Sequence, residues 1–526
     1  MRDHQAADPP YRSEVGGPYA WYVLTVLLIA FTLSQADRLI LSILTESVKA
    51  DIHVSDSQIG FLFGTAFGVF YAVFGVSVGR LADFLSRRML LATGMILWCV
   101  MTILSGVAAN YGQLAFARMA IGIGEATVGP CCYSLLSDRF PKSIRATVLA
   151  IVISGIYLGN GLSKYLGGLI LQLWTSAYPH NPPFGLHAWQ IAFFVIGAPG
   201  VLVALWVATL REPPRGMADG LPPPPKEPHP FRRTLVELAS AVPPLTLFNA
   251  ARFGRRPLLL NLAAAAVCAA LAIALTRWFG DIEQWVALFG GTYATFSWMQ
   301  SVHHRDRATF SLIFRTPSYV ALLLAYSLIS LITWAVGFWN LPYAMRVLHA
   351  PPAQVGAIMG LITAAGGLGG AVAGGRTADL LLKRNPSGRV IIGLGSAIVL
   401  PLSIVAMVHA RSLPTFYAIV AVYTVFGNMW VGACAAATQD LVLPHMRGAA
   451  AAANALGFTL IGLCIGPYVV GKLSVALHSL GLAMELLVWL IIPTLALFVY
   501  AYRNLPKAEA TRIERAQAAS LASAAA

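Results

Sequence analysis

The sequence predicts an all-α membrane protein that crosses the bilayer many times. Of its 526 residues, 57% are hydrophobic and only 11% are charged, and the mean hydropathy is +0.70. Soluble domains carry about 45–50% apolar and about 25% charged residues, so both departures indicate a lipid environment. Apolar stretches of about 20 residues, the length that crosses about 30 Å of hydrocarbon, recur from residue 20 to residue 502.

Fourteen spans are predicted, arranged as six, two and six. Six spans lie in a bundle over 20–210 and six in a bundle over 317–502. The two middle runs are predicted to form an extra transmembrane hairpin, although a hairpin lying in the membrane interface would give a similar pattern. The remaining predicted segments are a cytoplasmic N-terminus 1–19, a proline-rich linker 211–256, the hairpin 257–302, a cytoplasmic connector 303–316 and a flexible C-terminal tail 503–526.

The linker contains four consecutive prolines after Leu221. Such a run favours an extended polyproline segment over a packed element. Residues 231–250 could form a short amphipathic helix at the membrane surface.

The basic residues predict the orientation of the chain. The net charge is +14, and the bases sit in short clusters between apolar runs. Loops 80–88 and 137–145 carry three bases each, whereas loops 109–112 and 173–188 carry none. By the positive-inside rule, both termini and the linker are cytoplasmic, in a multi-pass protein of the plasma (cytoplasmic or inner) membrane. No continuous basic face interleaved with aromatic residues occurs, so nucleic acid is not an expected partner.

The sequence offers no metal site and no catalytic constellation. The six cysteines lie inside apolar runs, without CxxC spacing and without nearby histidine partners. No GxxxxGK[ST], GxSxG or HExxH motif occurs. We therefore expect neither an enzyme nor a cofactor, with a proton gradient as the energy source.

A ten-residue loop motif occurs twice. GRLADFLSRR over 79–88 follows the second span, and GRTADLLLKR over 375–384 follows the matching span of the second half. Another pair of loops repeats an aspartate and an arginine. Glycine lets helices approach closely, and aspartate can cap a helix or pair with arginine, so such contacts can form in one conformation and break in another. The predicted conformational latch between the halves comprises Gly79, Asp83, Arg87, Arg88, Asp138, Arg145, Gly375, Asp379, Arg384, Asp440 and Arg447.

These duplicated loops resemble signatures of the major facilitator superfamily, with Phe84 and Ser86 standing where the family usually has a base and a glycine. The resemblance implies two six-helix bundles related by pseudo-two-fold symmetry. The first half is most similar to the spinster-like group. The stretches that carry this similarity are ADR at 36–38, SDSQIG at 55–60, RMAIGIGEA at 118–126, LSDRF at 136–140 and GNGL at 159–162.

Four ionisable residues lie inside apolar spans: Asp37, Arg38, Arg118 and Glu125. Each costs about 2.5–3.5 kcal/mol at the centre of an isolated helix, so we expect them to pair with one another. Our hypothesis is that Asp37 and Glu125 take up and release protons, while Arg118 tunes them and Arg38 contacts an anionic substrate head. The resemblance implies the same roles. The alternative is an inert ion network that only fixes helix register.

Isolated amides and aromatic rings in the spans indicate a cavity for a ligand with a polar head and an apolar body. Taken alone, each aromatic is more often a lipid-facing or interfacial residue. Lys164 either faces inward or extends its ammonium group toward the membrane surface. The predicted lining residues are Asn160, Trp334, Asn340, Tyr343, Asn428 and Trp430.

The predicted function is secondary active transport of an amphipathic organic or lipid-like solute by alternating access, coupled to protons. The resemblance implies lysolipid-like or sphingoid-like substrates. A proton-coupled exporter of drugs or organic anions is the first alternative, and a non-transporting membrane sensor or scaffold is the second. The expected partners are a small amphipathic solute and the lipid bilayer, with the chain as a monomer.

Overall fold

A computed structural model describes residues 15–219 and 227–524 of the chain. All regular secondary structure in these two ranges is helical. The first bundle consists of α1 (Pro18–Ile52), α2 (Asp56–Leu81), α3 (Arg87–Ser105), α4 (Tyr111–Arg139), α5 (Lys142–Ala177) and α6 (Ala188–Thr209).

Five helices connect the first bundle to the second. They are α7 (Pro230–Ala241), α8 (Thr246–Arg252), α9 (Arg255–Phe279), α10 (Ile282–Arg305) and α11 (Arg307–Phe314). The second bundle and the helix that follows it are α12 (Pro317–Arg346), α13 (Pro352–Leu382), α14 (Gly388–Val408), α15 (Leu413–Asp440), α16 (Pro444–Leu477), α17 (Leu480–Ala510) and α18 (Arg512–Ala524).

Thirteen helices of the described ranges are long and apolar enough to cross a membrane. They are the six of each bundle together with α9. The helix α10 is less apolar, but its 24 residues give it a length of about 36 Å, and it packs antiparallel to α9. The predicted all-α membrane fold of two six-helix bundles with two helices inserted between them is confirmed.

The two bundles meet mainly along two helix pairs, α5 with α13 and α2 with α16. Glycine makes both approaches close. A Cβ atom added to Gly168 would lie 2.3 Å from the carbonyl oxygen of Pro352, and one added to Gly60 would lie 2.5 Å from that of Pro467. Both contacts lie far from the basic loops, so we call this side of the molecule the closed end.

An ion-pair cluster joins the halves at the closed end. Arg346, at the end of α12, lies 2.7 Å from Glu46 on α1 and 2.7 Å from Asp56 at the start of α2. Ser474 on α16 also donates a hydrogen bond to Asp56, at 2.8 Å. These contacts hold the ends of the two bundles together.

The inserted helix α10 touches both halves near the closed end. The side chain of Gln284 is fully buried; its amide oxygen accepts a hydrogen bond from Thr65 of the first half at 2.7 Å, and its nitrogen donates to the carbonyl of Cys464 in the second half at 3.5 Å. Asp281 lies 2.8 Å from Lys472 of the second half. The hairpin therefore bridges the junction between α2 and α16.

The linker is largely helical where the structure describes it. The predicted surface helix over 231–250 is two helices, α7 and α8, with a break between Ala241 and Thr246. Helix α7 packs against the end of α2, where Arg80 lies 2.7 Å from Glu237. The four prolines lie outside the described residues.

The prediction of a flexible C-terminal tail over 503–526 is wrong for the residues that the structure describes. Helix α17 continues to Ala510, and α18 follows it over Arg512–Ala524. Ala516 is buried, and the guanidinium of Arg515 donates to Thr316 at the start of α12. Alanine has the highest helix propensity of all residues, and packing against α11 gives the short helix the tertiary contacts that stabilise it.

Candidate functional site

A cavity of about 380 Å³ lies between the two bundles. The first half contributes side chains from α1, α2 and α5, and the second half from α12, α13, α15 and α16. Its principal lining residues are Arg38, Leu39, Phe63, Tyr71, Tyr157, Asn160, Lys164, Thr333, Trp334, Phe338, Asn340, Thr363, Asn428, Trp430, Phe458 and Thr459. The wall is predominantly apolar, with a small number of polar groups.

Two stretches of π-helix, Ile362–Gly366 in α13 and Phe458–Leu463 in α16, lie at this cavity. Such a stretch widens the helical turn and interrupts the regular hydrogen bonding. It is a feature found frequently at functional sites. Here the two stretches supply Thr363, Phe458 and Thr459 to the wall.

Arg38 and Glu125 form a buried ion pair behind the cavity wall. Arg38 donates to one oxygen of Glu125 from Nη2 at 2.7 Å and from Nε at 3.1 Å, and Ser34 donates to the same oxygen at 3.1 Å. The guanidinium carbon also lies 4.5 Å from the ring centre of Phe67 and 4.6 Å from that of Tyr71. Arg38 thus touches both the cavity and the carboxylate.

Asp37 and Arg118 complete the group of four buried charges. Asp37 points away from the cavity toward α3, where Thr102 donates to its Oδ2 at 2.5 Å. Arg118 donates to the carbonyl oxygens of Leu62 at 3.4 Å and of Arg38 at 3.3 Å. Neither of its described hydrogen bonds goes to a carboxylate.

The structure therefore brings the predicted four charges together but gives them unequal positions. None is more than 7% exposed. Of the four, only Arg38 lines the cavity. Three of their polar atoms have no hydrogen-bond partner within the described residues: Oδ1 of Asp37, Oε1 of Glu125 and Nη1 of Arg118.

Five of the six predicted lining residues, all except Tyr343, line the cavity. The inclusion of Tyr343 was wrong. Its hydroxyl donates to the carbonyl of Val408 at 2.8 Å, and its ring stacks on Phe416. Tyr343 lies almost one turn nearer than Asn340 to Arg346, in the part of α12 where the two halves have already closed.

Lys164 and Thr363 form a polar contact that the sequence did not predict. Lys164 is 4% exposed and lines the cavity, and its Nζ donates to Thr363 Oγ1 of the other half at 2.8 Å. Of the two orientations left open for this lysine, the structure has the inward one. The spacing of Asn160 and Lys164, one helical turn apart, was the available signal that both share a face.

A family model of the Major Facilitator Superfamily matches residues 26–467. The chain belongs to the major facilitator superfamily. It is therefore a transporter of small solutes in a membrane and not an enzyme. An MFS-type efflux pump of Mycolicibacterium smegmatis is 28% identical over 491 residues, covering 92% of each chain.

The predicted resemblance to the spinster-like group is also confirmed. Protein spinster of Drosophila melanogaster is 26% identical over 211 residues, 40% of this chain and 33% of that protein. Protein spinster homolog 1 of Xenopus tropicalis is 22% identical over 86% of this chain and 73% of its own length.

Solved transporter structures share the fold. A bacterial homolog of the human lysosomal transporter spinster, in an inward-facing and unoccupied conformation, superposes with a TM-score of 0.67 at 20% identity, covering 95% of this chain and 98% of that chain. The xylose transporter XylE of E. coli, in an inward-open conformation, gives 0.59 at 15% identity, covering 92% and 96%.

The duplicated loops of this superfamily member form ion pairs, but within each half. Arg87 is fully buried; its guanidinium donates to Asp138, and its Nε lies 2.8 Å from Glu212. Arg88 donates to the carbonyl of Leu210 at 2.6 Å. All of these partners belong to the first bundle or to the residues directly after it.

Burial raises the pKa of the Glu212 carboxyl, but hydrogen bonds from Arg87 and from the backbone N–H of Arg88 outweigh burial and hold the pKa below its ordinary value. Arg145, also predicted in this set, pairs with Asp219 at 2.9 Å. The start of the linker is therefore fixed to the first bundle by its two carboxylates.

The prediction chose the wrong arginine in the second half. Arg389 donates to Asp440 and lies 3.9 Å from Asp379. Its separation from Asp440 is 51 residues, the same as that of Arg87 from Asp138. Arg389 is thus the repeat equivalent of Arg87, whereas the predicted motif aligned Lys383 with Arg87 and Arg384 with Arg88.

The remaining predicted latch residues make no contact between the halves in the described structure. Arg384 and Arg447 are exposed and form no ion pair with any described residue. Asp83 is exposed as well, and a Cβ atom added to Gly79 or Gly375 would meet nothing within 4 Å. The contacts that hold the halves together lie mainly at the closed end, on the other side of the molecule.

Proposed function

We propose that this protein is a proton-coupled secondary transporter that moves an amphipathic organic or lipid-like solute by alternating access. The observation that carries the proposal is the Arg38–Glu125 pair, whose arginine lies in the wall of the cavity between the halves while its carboxylate is buried behind it. A group in this position can respond to both a solute and a proton.

The coupling step follows from the electrostatics of the pair. Protonation of Glu125 removes the negative charge that Arg38 neutralises, and the arginine then carries an uncompensated charge at the cavity surface. An anionic solute head supplies the missing charge, so proton binding and solute binding favour each other. Loss of the proton restores the internal pair and favours release.

Asp37 is a second site for a proton. It lies next to Arg38 in the chain, it is buried, and one of its oxygens accepts from Thr102. The charge of Arg118 acts on both Asp37 and Glu125. The protonation state of one carboxylate therefore changes the electrostatic environment of the other.

The lining suits a solute with an apolar body. Trp334, Phe338 and Phe63 supply aromatic surface, and the amides of Asn340 and Asn428 supply polar groups for a head. The resemblance to the spinster-like group implies a lipid-like solute. The mycobacterial relative named as an efflux pump, which matches nearly the whole chain, favours the second candidate, a proton-coupled exporter of drugs or organic anions.

We propose further that the protein acts as a monomer in a plasma (cytoplasmic or inner) membrane. One chain provides both walls of the cavity. The loop after α4 and the described N-terminal residues lie together, since Gly16 donates to the carbonyl of Arg139 at 2.9 Å. With the basic loops cytoplasmic, the closed end faces away from the cytoplasm and the cavity is open to the inside.

The experiment is a flux measurement on purified protein in liposomes that contain a pH-sensitive dye. Candidate solutes are added outside, and a transporter of this kind gives a solute-dependent change of internal pH. The matched control is Glu514→Gln, which removes a carboxylate exposed on α18 and leaves the flux unchanged. Solute uptake with no accompanying proton movement would contradict the coupling, and absence of any uptake across both solute classes would contradict the substrate assignment.

A further inference from the structure

We infer that Lys164 is a substrate-binding residue that selects solutes carrying an anionic head. The inference rests on the proposed transport function and names the chemical class of its substrate: an apolar body ending in a carboxylate, phosphate or sulfate.

The position of Lys164 is that of a binding group. It lies on α5 within the cavity wall and is 4% exposed. Its Nζ is 2.8 Å from Thr363 Oγ1, on the π-helical stretch of α13 that faces it from the other half. The ammonium group is therefore held at the cavity surface between the two bundles, and it does not reach the membrane interface.

The charges around the cavity are unbalanced. Its described lining residues include two cations, Arg38 and Lys164, and no carboxylate. Arg38 is neutralised by Glu125. Lys164 has no ion-pair partner among the residues that the structure describes. A buried charge without a counter-charge is unfavourable, and an anion bound in the cavity supplies one.

Other polar atoms around the cavity also lack partners. Asn160, one turn before Lys164 on the same helix, and Asn340, on the facing half, each have an amide oxygen with no described hydrogen-bond partner. Trp430 has an indole N–H without an acceptor. Because the two ends of an amide are assigned by their surroundings, the asparagines can present donors. Lysine, indole and amide donors together fit the several oxygens of an anionic head.

The contact with Thr363 connects this site to the junction of the halves. Lys164 also contributes backbone to that junction, because a Cβ atom added to Gly356 on α13 would lie 2.4 Å from its carbonyl oxygen. An anion that binds the ammonium group shares it with Thr363, because the group has three N–H donors. Solute binding therefore acts on a hydrogen bond between α5 and α13, the helix pair that closes one end of the cavity.

A purely structural lysine would account for the same hydrogen bond. Neutral Lys164 donating to Thr363 would hold α5 and α13 together without selecting any solute. The two roles differ in one property, which is the dependence of affinity on the charge of the ligand head.

The experiment is equilibrium binding to purified full-length protein in an uncharged detergent. The probes share a ten-carbon chain and differ in the head: labelled decyl phosphate, decanol and decyltrimethylammonium. We expect decyl phosphate to bind about tenfold more tightly than decanol, since the lysine adds a charge-assisted hydrogen bond. Lys164→Met lowers this preference and leaves the affinity for decanol unchanged, whereas Lys164→Arg retains it.

The matched control is Lys507→Met, which removes an exposed lysine on α17 outside the cavity. It leaves the preference for the anion intact. Unchanged affinity for decanol shows that each variant is folded, and Lys164→Gln replaces the methionine variant if that one fails this criterion. Lys164→Met protein that still prefers decyl phosphate tenfold would overturn the inference.

Two sources of the anion are separated by competition with phenyl phosphate, a water-soluble organic anion without a chain. Displacement of decyl phosphate by phenyl phosphate at similar concentration supports a soluble organic anion, and displacement only by chain-bearing anions supports a single-chain lipid. Binding at equilibrium needs neither transport nor a proton gradient. A failure of proton coupling with the Lys164-dependent preference intact would thus contradict the proposed function and leave this inference standing.

Discussion

Arg38 donates two hydrogen bonds to a single oxygen of Glu125 while its guanidinium also borders the central cavity. The second oxygen of Glu125 has no described partner. The pair is therefore incompletely satisfied on the carboxylate side, in a region where unpaired polar atoms are costly. An arrangement that served only to fix helix register would gain by satisfying both oxygens, and this one leaves an oxygen available for a proton.

Removing one partner of the Arg38–Glu125 ion pair is expected to destabilise the protein. Arg38→Met leaves Glu125 buried without its counter-charge, and the expected loss is about 3–5 kcal/mol. Replacing both residues, as in Arg38→Met with Glu125→Leu, removes the uncompensated charge and recovers most of the stability. The measurement is thermal unfolding of the purified variants in detergent. A double variant no more stable than the single one would show that the pair is not the relevant interaction.

The two arginines of the second-half loop provide a matched comparison. Arg389→Ala removes the partner of Asp440 and lowers the unfolding temperature, because a part-buried ion pair is lost. Arg384→Ala changes an exposed side chain and stays within about 0.5 kcal/mol of the parent protein. Equal effects of the two substitutions would contradict the assignment of Arg389 as the equivalent of Arg87.

Lowering the pH is expected to weaken the contacts that fix the start of the linker, because it protonates Glu212. The pKa of the Glu212 carboxyl is lower in the folded protein than its ordinary value of about 4.3–4.5. The stabilisation that Glu212 contributes is therefore complete above the ordinary pKa and is lost as the pH falls through the folded pKa. Glu212→Gln removes this part of the pH dependence. The measurement is the rate at which an acid-stable protease cleaves the linker of the protein in detergent. It is followed from pH 7 down to about pH 3. Identical acid sensitivity in the variant would exclude Glu212 as the titrating group.

The inserted hairpin is expected to favour the conformation in which the closed end is shut. Asp281→Asn weakens the contact with Lys472, and Gln284→Leu removes the hydrogen bonds to both halves. The separation of α5 and α13 is measured with spin labels at Ser176 and Gln354, which are both exposed at the closed end. The method is pulsed electron paramagnetic resonance, in a Cys268→Ser background. The distance distribution of the double variant gains a longer component. The control, Glu514→Gln, has the parental distribution, and a double variant that also retains it would show that the hairpin does not affect closure.

Hydropathy and the repeated loops were sufficient to predict the two bundles and the inserted helices, because membrane spans are specified by local composition. The four buried charges were predicted for the same reason, since ionisable residues stand out in apolar runs. Their pairing was not specified by the sequence. That Arg38, and not Arg118, binds Glu125 depends on the rotation and depth of α1 against α4, which no sequence spacing gives.

Other differences from the prediction have local causes. In the second half, Arg389 lies further along the chain from Asp379 than Arg87 lies from Asp83 in the first half. The repeated motif that begins at Gly375 therefore ends at Arg384, before Arg389 is reached. Tyr343 was included because it lies on the same helix as Asn340, and helical position alone does not show where a cavity ends. The C-terminal helix α18 was missed because its alanine-rich sequence acquires stability only by packing on α11.

The most direct test of the central claim is solute-driven proton flux in liposomes with Glu125→Gln and Asp37→Asn. Each substitution keeps the shape of the side chain and removes its ability to carry a proton. The account predicts that exchange of labelled for unlabelled solute persists in at least one of the two variants, while proton movement coupled to solute is lost in both. Proton flux at the parental rate in both variants would contradict it.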